Sequence, residues 1–128
     1  MIFISWNCRG FGSKLKEDVV KDIIRIMKPD ILLLQESKLE DADLLKASKG
    51  FWKRGHGIAV SARGASRGLG TFWDISKYDM MEEEKCMHWI FTKLLHKDLG
   101  RYYTSNSHAC LSTISVVTKC RILTMVTT

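Results

Sequence analysis

The sequence predicts an α/β fold that begins with a strand–helix–strand unit in its first 38 residues. Residues 2–6 are β-branched and aromatic, which is typical of a buried strand. From Lys14 to Lys28, apolar side chains recur every three or four residues, which is the period of an amphipathic helix. Residues 30–35 then contain four consecutive apolar residues, as in a strand that is buried on both faces. Because crossover connections of this kind join neighbouring strands, we expect the two strands to be parallel.

The ends of this helix are also marked. Ser13 suits the N-cap position, since its hydroxyl can accept a hydrogen bond from the first turn. Pro29 is expected to stop the helix, because proline disfavours the helical conformation of the residue before it. The predicted apolar face consists of Leu15, Val19, Val20, Ile23, Ile24 and Met27.

Shorter elements are predicted for residues 40–100. A polar helix is expected at about residues 40–49, ended by Gly50, and two strands at 57–61 and 69–73. The loop at 62–68 contains two arginines and two glycines, so it could cradle a phosphate. A plain hairpin loop is the favoured interpretation, because the stretch does not match GxxxxGK followed by Ser or Thr. Residues 78–96 carry mixed helix and strand propensities, and residues 97–100 indicate a turn.

Composition and charge limit the class of protein. The chain has 128 residues, 45% of them hydrophobic and 27% charged, which indicates one soluble globular domain. It contains no apolar run near the roughly 20 residues of a membrane span and no secretory signal, so we expect an intracellular protein, not a secreted one, with the nucleus as one candidate location. The net charge of +6 suits a polyanionic partner such as nucleic acid, although charge alone is weak evidence.

Neither the cysteines nor the histidines indicate a metal site. The four cysteines are scattered without a CxxC pair, so reduced thiols are expected rather than zinc ligands. The histidines at 56, 88 and 96 have no acidic partner at diagnostic spacing and are expected at the surface or an interface. Of the tryptophans, those at 6, 73 and 89 are predicted in the core. Trp52 either contacts nucleic acid beside its basic neighbours or is tucked inward, and the second alternative is favoured.

Two polar residues follow the first two predicted strands, and they are the candidate site. If the strands are neighbours, Asn7 and Glu36 emerge side by side at one edge of the sheet. An amide and a carboxylate placed this way can bind a hard cation and orient a phosphate. On spacing alone the simpler interpretations are favoured, with Glu36 as a solvated carboxylate and Asn7 as a turn former.

Four stretches resemble the endonuclease/exonuclease/phosphatase superfamily: SWNCRGFGS, KPDILLLQESK, GIAVSARGASRGLGTFWD and HWIFTKLLHKD. Within it, residues 1–100 are most similar to the N-terminal endonuclease domain of plant LINE-type retrotransposon polyproteins, whose endonuclease nicks DNA for reverse transcription. The resemblance implies a four-layered α/β sandwich, two mostly antiparallel sheets covered by helices, of which only the N-terminal part is present. It also implies that residues 78–96 form two strands. Residues 101–128 do not resemble the family and stay an unassigned tail, which we attribute to a truncated gene model or a shifted reading frame.

The same resemblance implies a function and its residues. Such enzymes hydrolyse phosphodiester bonds with Mg²⁺, or Mn²⁺ as the alternative. Glu36 matches the metal-binding glutamate, and Asn7 matches the asparagine of the phosphate and metal site. Gln35 and Lys38 stand where supporting contacts are expected, and three arginines are candidates for contact with the DNA backbone: Arg9, Arg63 and Arg67. Arg9 occupies a position where the related apurinic-site endonucleases carry an aspartate.

Two further motifs of the family, one GDFN-like and one closing Asp–His pair, do not occur in this sequence. They supply the groups that orient and activate the attacking water. We therefore expect this chain by itself to lack hydrolytic activity. The alternatives are a non-enzymatic remnant with at most non-specific nucleic-acid binding and a phosphatase of the same superfamily.

Overall fold

A computed structural model describes residues 2–63, 67–108, 112–116 and 121–126 of the chain. Most of these residues lie in strands that form two sheets, and none of the described helices is long and apolar enough to cross a bilayer. The elements are β1 (Ile2–Asn7), α1 (Lys14–Met27), β2 (Ile31–Gln35), α2 (Asp41–Phe51), β3 (Gly55–Val60), β4 (Leu69–Asp74), β5 (Tyr78–Cys86), β6 (Trp89–His96), β7 (Tyr102–His108), β8 (Ser112–Val116) and β9 (Arg121–Val126).

The first sheet contains the predicted strand–helix–strand unit. Its strand order is β3-β4-β2-β1-β9, with β1 parallel to both β2 and β9 and with β4 antiparallel to its neighbours. Phe3 lies opposite Ile31, and Asn7 lies opposite Gln35. This register brings the ends of β1 and β2 to the same edge of the sheet, as the sequence predicts.

The second sheet is an antiparallel meander of β5, β6, β7 and β8. Residues 78–96 form two paired strands, so the expectation of two strands is confirmed. The stretch predicted as an unassigned tail contributes to both sheets. Residues 102–108 pair with β6 as β7, and residues 121–126 pair with β1 as β9.

The two sheets pack face to face, and α1 and α2 cover the other face of the first sheet. Along β2, Ile31 and Leu33 belong to the cluster between the sheets, whereas Leu32 and Leu34 belong to the cluster beneath the helices. Successive side chains of a strand point to opposite faces, so an unbroken apolar run is what burial on both faces requires. The described chain thus has three layers of the predicted sandwich, and within these residues no helix covers the outer face of the second sheet.

Helix α1 begins and ends as predicted, but its apolar face is narrower. Ser13 Oγ accepts a hydrogen bond from Lys16 N at 3.3 Å, which is the N-cap contact, and Lys28 ends the helix in the left-handed conformation before Pro29. Val20 is buried, but Leu15 is 74% exposed. Leu15 and Val19, which is also exposed, lie about a quarter turn or more from the centre of the buried stripe. Their inclusion in the core face was therefore wrong.

Helix α2 runs past its predicted end, through Gly50 to Phe51. The Phe51 ring is buried and makes edge contacts with Phe11 and Phe72, with centroid distances of 5.4 and 5.7 Å. Gly50 faces open space, so it does not disturb the packing. Tertiary burial of Phe51 accounts for the two additional residues, since helix propensity alone would end the helix at the glycine.

Three of the four tryptophans are in the core, but not the three predicted. Trp6, Trp52 and Trp73 are buried, which confirms the inward alternative for Trp52. Trp89 is only half-buried, because it alternates with the buried Ile90 and therefore lies on the outer face of β6. His56 and His88 are exposed, as expected, and His96 is half-buried.

Candidate active site

The candidate site forms where backbone hydrogen bonds continue beyond the ends of the central strands. Gly10 N donates to Glu36 O at 2.6 Å, which joins the segment after β1 to the segment after β2. Lys38 N donates to Arg67 O at 2.7 Å, which adds the segment before β4. Three stretches that are distant in sequence are therefore held together at one edge of the first sheet.

The backbone at this edge adopts an uncommon conformation. Four described non-glycine residues have positive φ, and three of them are in these segments: Arg9 (49°), Glu36 (53°) and Lys38 (57°). The left-handed region disfavours residues with a Cβ by roughly 1–2 kcal/mol each. Residues held in such conformations concentrate at functional sites, where the surrounding structure enforces them. The conformation of Glu36 therefore supports a functional role for this edge.

Gly68 makes the close approach of these segments feasible. Its φ is +87°, and a Cβ at this position would lie only 2.2 Å from Ser37 Oγ. Ser37 is fully buried, and its backbone N donates to Gly68 O at 3.2 Å. A Cβ at position 68 would require the Ser37 hydroxyl to shift and would hold the new residue at a strained φ.

The Glu36 carboxylate is buried and has two side-chain partners. It is 8% exposed, and its Oε1 accepts a hydrogen bond from Arg67 Nη1 at 2.5 Å. Asn7 also donates a side-chain hydrogen bond to it, while Asn7 Oδ1 accepts from Arg9 N at 3.3 Å. The Arg67 hydrogen bond lowers the pKa of Glu36 most, burial raises it, and the Asn7 hydrogen bond lowers it further. The pKa lies below its usual value, so the carboxylate is ionised at neutral pH.

The donor set can hold a divalent cation through Glu36. The ionised carboxylate is a suitable ligand, and Mg²⁺ commonly takes one or two carboxylates with its other ligands from water and substrate phosphate. In the described ranges, no three His, Cys, Asp or Glu side chains cluster as a metal site would require. The residues therefore fit a site with one protein carboxylate. In this structure Arg67 Nη1 is hydrogen-bonded to Glu36 Oε1, where a cation would bind.

Of the other predicted residues, some lie at this edge of the sheet and one does not. Arg9 is exposed and close enough to Glu36 to lower its pKa. Gln35 is buried, and Lys38 is exposed next to Gly10. Arg63 instead pairs with Glu40 at 3.2 Å and lines a separate cavity of about 300 Å³.

Lys16 supports the site but is not among the predicted residues. Its Nζ donates to Cys8 O at 2.5 Å and to Arg9 O at 3.2 Å, which ties the first turn of α1 to the loop after β1. Lys16 lies four residues before Val20 and seven before Ile23, so the helical period places it in line with the buried stripe of α1. That position distinguishes it from Lys14 and Lys21, which are exposed.

Several solved structures have the same fold. The structure of TDP2 from D. rerio, complexed with a single-strand DNA product, is 14% identical to this chain, with a TM-score of 0.59. The matched region covers 79% of this chain and 42% of the TDP2 chain. The endonuclease/exonuclease/phosphatase from Bacteroides vulgatus is 15% identical with a TM-score of 0.59, over 77% of this chain and 48% of its own. The AP endonuclease LMAP from Leishmania major is 15% identical with a TM-score of 0.57, over 89% of this chain and 39% of the LMAP chain. This chain therefore spans less than half the length of each of these proteins.

The sequence itself also identifies the family. No curated protein matches the chain, but residues 4–107 match the family described as Endonuclease/Exonuclease/phosphatase family. The match includes Asn7, Glu36 and Arg67, and it extends to within one residue of the end of β7. The family match covers most of the chain and agrees with the two-sheet fold. The chain belongs to the endonuclease/exonuclease/phosphatase family.

Proposed function

We propose that the chain carries the cation-binding part of a divalent-metal-dependent phosphodiester hydrolase that acts on DNA, related to the endonucleases of LINE-type retrotransposons. The proposal is supported chiefly by the convergence of Asn7 and Glu36 at one sheet edge, with Glu36 ionised, buried and held at positive φ. A carboxylate has little structural reason to be held in this way. The DNA complex of the similar TDP2 structure and the basic composition of this chain support a nucleic-acid substrate.

In the proposed site each residue has a distinct task. Glu36 holds the cation, which is Mg²⁺ or, as the alternative, Mn²⁺; the cation would stabilise negative charge on the substrate phosphate. Asn7 keeps the Glu36 carboxylate in one orientation through its amide. Arg9 and Arg67 are exposed cations beside the carboxylate, so they are placed to contact backbone phosphates.

Arg67 would have to move when the cation and the phosphate bind. Its side chain is 64% exposed, so it can leave Glu36 without crossing packed residues. Guanidinium groups pair with phosphates as readily as with carboxylates. We expect Arg67 to exchange Glu36 for the substrate phosphate.

Cation binding can be tested without measuring hydrolysis. We expect Mn²⁺ to broaden the amide NMR signals of residues 7–10 and 36–38 selectively, because those amides surround Glu36. Glu36→Gln should abolish the effect, whereas the matched variant Glu82→Gln, an exposed glutamate of β5, should not. Equal broadening in wild type and Glu36→Gln would contradict the proposal.

We further propose that this chain does not hydrolyse DNA by itself, because it contains neither of the two water-activating motifs of the family. A plasmid-nicking assay with Mg²⁺ should show no nicking by the wild type or by Glu36→Ala. Nicking that is lost in Glu36→Ala would show that the chain is an active nuclease and would contradict this part of the proposal.

The second candidate is a non-enzymatic remnant that binds nucleic acid. The ion pair between Arg67 and Glu36 favours it, because that pair satisfies the carboxylate without a cation. This candidate predicts DNA binding that weakens steeply with salt, is indifferent to sequence and is unchanged by Glu36→Ala. Selective Mn²⁺ binding at Glu36 would exclude it.

A further inference from the structure

A second cavity lies at the opposite end of the first sheet from Glu36. It has a volume of about 390 Å³ and forms between the end of α1, the turn before β3 and the turn after β4. The strand β2 separates the two ends by roughly 17 Å, at about 3.3 Å per residue. Nothing proposed above uses this cavity.

The side chains around this cavity are mostly cationic. Three structural elements contribute five lysines and arginines, with one carboxylate among them and one buried tryptophan. The residues are Arg25, Lys28, Lys53, Arg54, Lys77, Asp74 and Trp52.

The positive charge is only partly neutralised. Arg25 pairs with Asp22 at 3.4 Å, and Lys77 pairs with the buried Asp30 at 3.3 Å. The carboxylate of Asp74 accepts hydrogen bonds from Ser76 N and Oγ on one oxygen, at 2.9 and 2.6 Å, and these neutral donors leave it as the one anionic group that lines the cavity.

Three of the five cations form no ion pair within the described residues. Lys28, Lys53 and Arg54 are exposed, and within the described chain none has a carboxylate oxygen within 4.0 Å. Clustered like charges in a concave surface focus the electrostatic potential and attract counter-ions.

The dipole of α1 explains only part of this cluster. Cations at a helix C-terminus stabilise the helix, which accounts for Arg25 and Lys28. Lys53 and Arg54 directly follow the end of α2, so the dipole of that helix favours them in the same way, and Lys77 lies in the turn after β4, paired with Asp30. Two helix ends and one turn thus bring the five cations together around one cavity.

Trp52 lines the cavity but is buried against the turn before β3. Trp52 is 6% exposed, and a Cβ on Gly55 would lie 2.7 Å from its ring, so the turn is packed tightly against the indole. Because the ring is buried, it is not available for stacking on a base. Recognition here must come from the charged groups, which suits an anionic group rather than an aromatic ring.

We propose that this cavity is a second anion-binding site, which takes the phosphate group of a nucleotide or of a nucleic-acid strand. The volume is within the range of about 300–1,000 Å³ that is typical of small-ligand sites. Lysine and arginine are the side chains that recognise phosphate. The site is independent of Glu36 and of any cation bound there.

The test is an NMR titration of the ¹⁵N-labelled chain in EDTA with three probes: inorganic phosphate, AMP and a short 5′-phosphorylated single-stranded oligonucleotide. We expect all three to shift the amides of residues 53–55 and 75–77 selectively. A tighter affinity for the oligonucleotide than for AMP identifies a nucleic-acid strand as the source of the phosphate, and equal affinities identify a nucleotide. Repeating the titration with Glu36→Gln should give the same shifts, so failure of the nuclease proposal would not affect this result.

The charge-reversal pair Lys53→Glu/Arg54→Glu should weaken binding by roughly tenfold or more, since two charge-assisted contacts are lost. Lys21→Glu/Lys46→Glu is the matched control: both lysines are exposed on the helices, outside the cavity, and the net charge changes equally. Should the reversed pair unfold, Lys53→Gln/Arg54→Gln replaces it. Equal loss in both pairs, shifts spread over all basic residues, or no binding by wild type would overturn the proposal.

Discussion

At the residue scale, two opposing effects set the pKa of Glu36: burial raises it, and the hydrogen bonds from Arg67 and Asn7 lower it. Burial alone would favour the neutral acid, because a carboxylate loses hydration when it leaves water. Arg67 and Asn7 outweigh that cost through direct hydrogen bonds, so the pKa is lowered. Since the folded-state pKa is below the ordinary value of 4.5, Glu36 stabilises the fold above about pH 4.5, and this contribution is lost as the pH falls through the folded-state pKa.

Arg67→Ala should raise the pKa of Glu36, because it removes the largest cause of the downward shift. An NMR titration of the side-chain carboxyl carbon measures this directly. Arg63→Ala is the matched control, since Arg63 pairs with Glu40 instead. If both variants left the Glu36 titration unchanged, the ion pair with Arg67 would not be the cause.

Cys8 shows the effect of burial on a thiol. It is fully buried, and burial raises its pKa from 9.0 to about 11, although the nearby Lys16 acts in the opposite direction. At pH 8 only about 0.1% of such a thiol is the reactive thiolate. We expect iodoacetamide to alkylate Cys8 far more slowly than the exposed Cys86, measured by peptide mass spectrometry. Comparable rates at the two cysteines would contradict the buried placement of Cys8.

At the element scale, the candidate site is built from the ends of strands and the segments that follow them, not from the strand interiors. The central strands are short, and the candidate site residues lie at their last positions or just beyond them, in segments held by backbone hydrogen bonds and by glycines. Gly68 and Gly50 illustrate two different roles of glycine. Position 68 requires glycine because of its positive φ and its contact with Ser37. A Cβ at position 50, in α2, would instead have no described atom within 4 Å.

Gly68→Ala should therefore destabilise the fold by about 2 kcal/mol, through the strained φ and the clash with Ser37. Gly50→Ala should instead stabilise it by about 0.5 kcal/mol, because alanine favours the helix. Urea unfolding of both variants gives the two free energies. Combining Gly68→Ala with Ser37→Ala should recover only part of the loss, since the φ strain remains. Full recovery would assign the whole effect to the clash.

At the scale of the whole molecule, the contact between the sheets joins distant parts of the chain. Tyr103 of β7 makes edge contacts with Phe3 of β1 and Tyr78 of β5, with centroid distances of 5.9 and 5.8 Å. Leu94 of β6 is fully buried in the same cluster. The second sheet is thus part of the core, and stability should depend on it as much as on the first sheet.

Leu94→Ala should cost about 2–5 kcal/mol in the free energy of unfolding, since it opens a cavity between the sheets. Leu99→Ala, at a leucine that is 54% exposed in the turn after β6, should change stability by no more than about 0.5 kcal/mol. Thermal or urea unfolding measures both. A similar small effect for the two variants would mean that the sheets do not pack as described.

Local sequence patterns are sufficient to predict the strand–helix–strand unit, both ends of α1 and the proximity of Asn7 to Glu36. These depend on local patterns: apolar period, capping residues and the parallel pairing that a crossover imposes. The extent of α2, the outward position of Trp89 and the narrow face of α1 were decided by tertiary packing, because propensity does not report which face a neighbour covers. The candidate site likewise combines features that local patterns predict with features that depend on the folded chain. The positions of Asn7 and Glu36 follow from strand order. The contact of Arg67 with Glu36 and the basic cavity depend instead on segments far apart in sequence, which only the folded chain brings together.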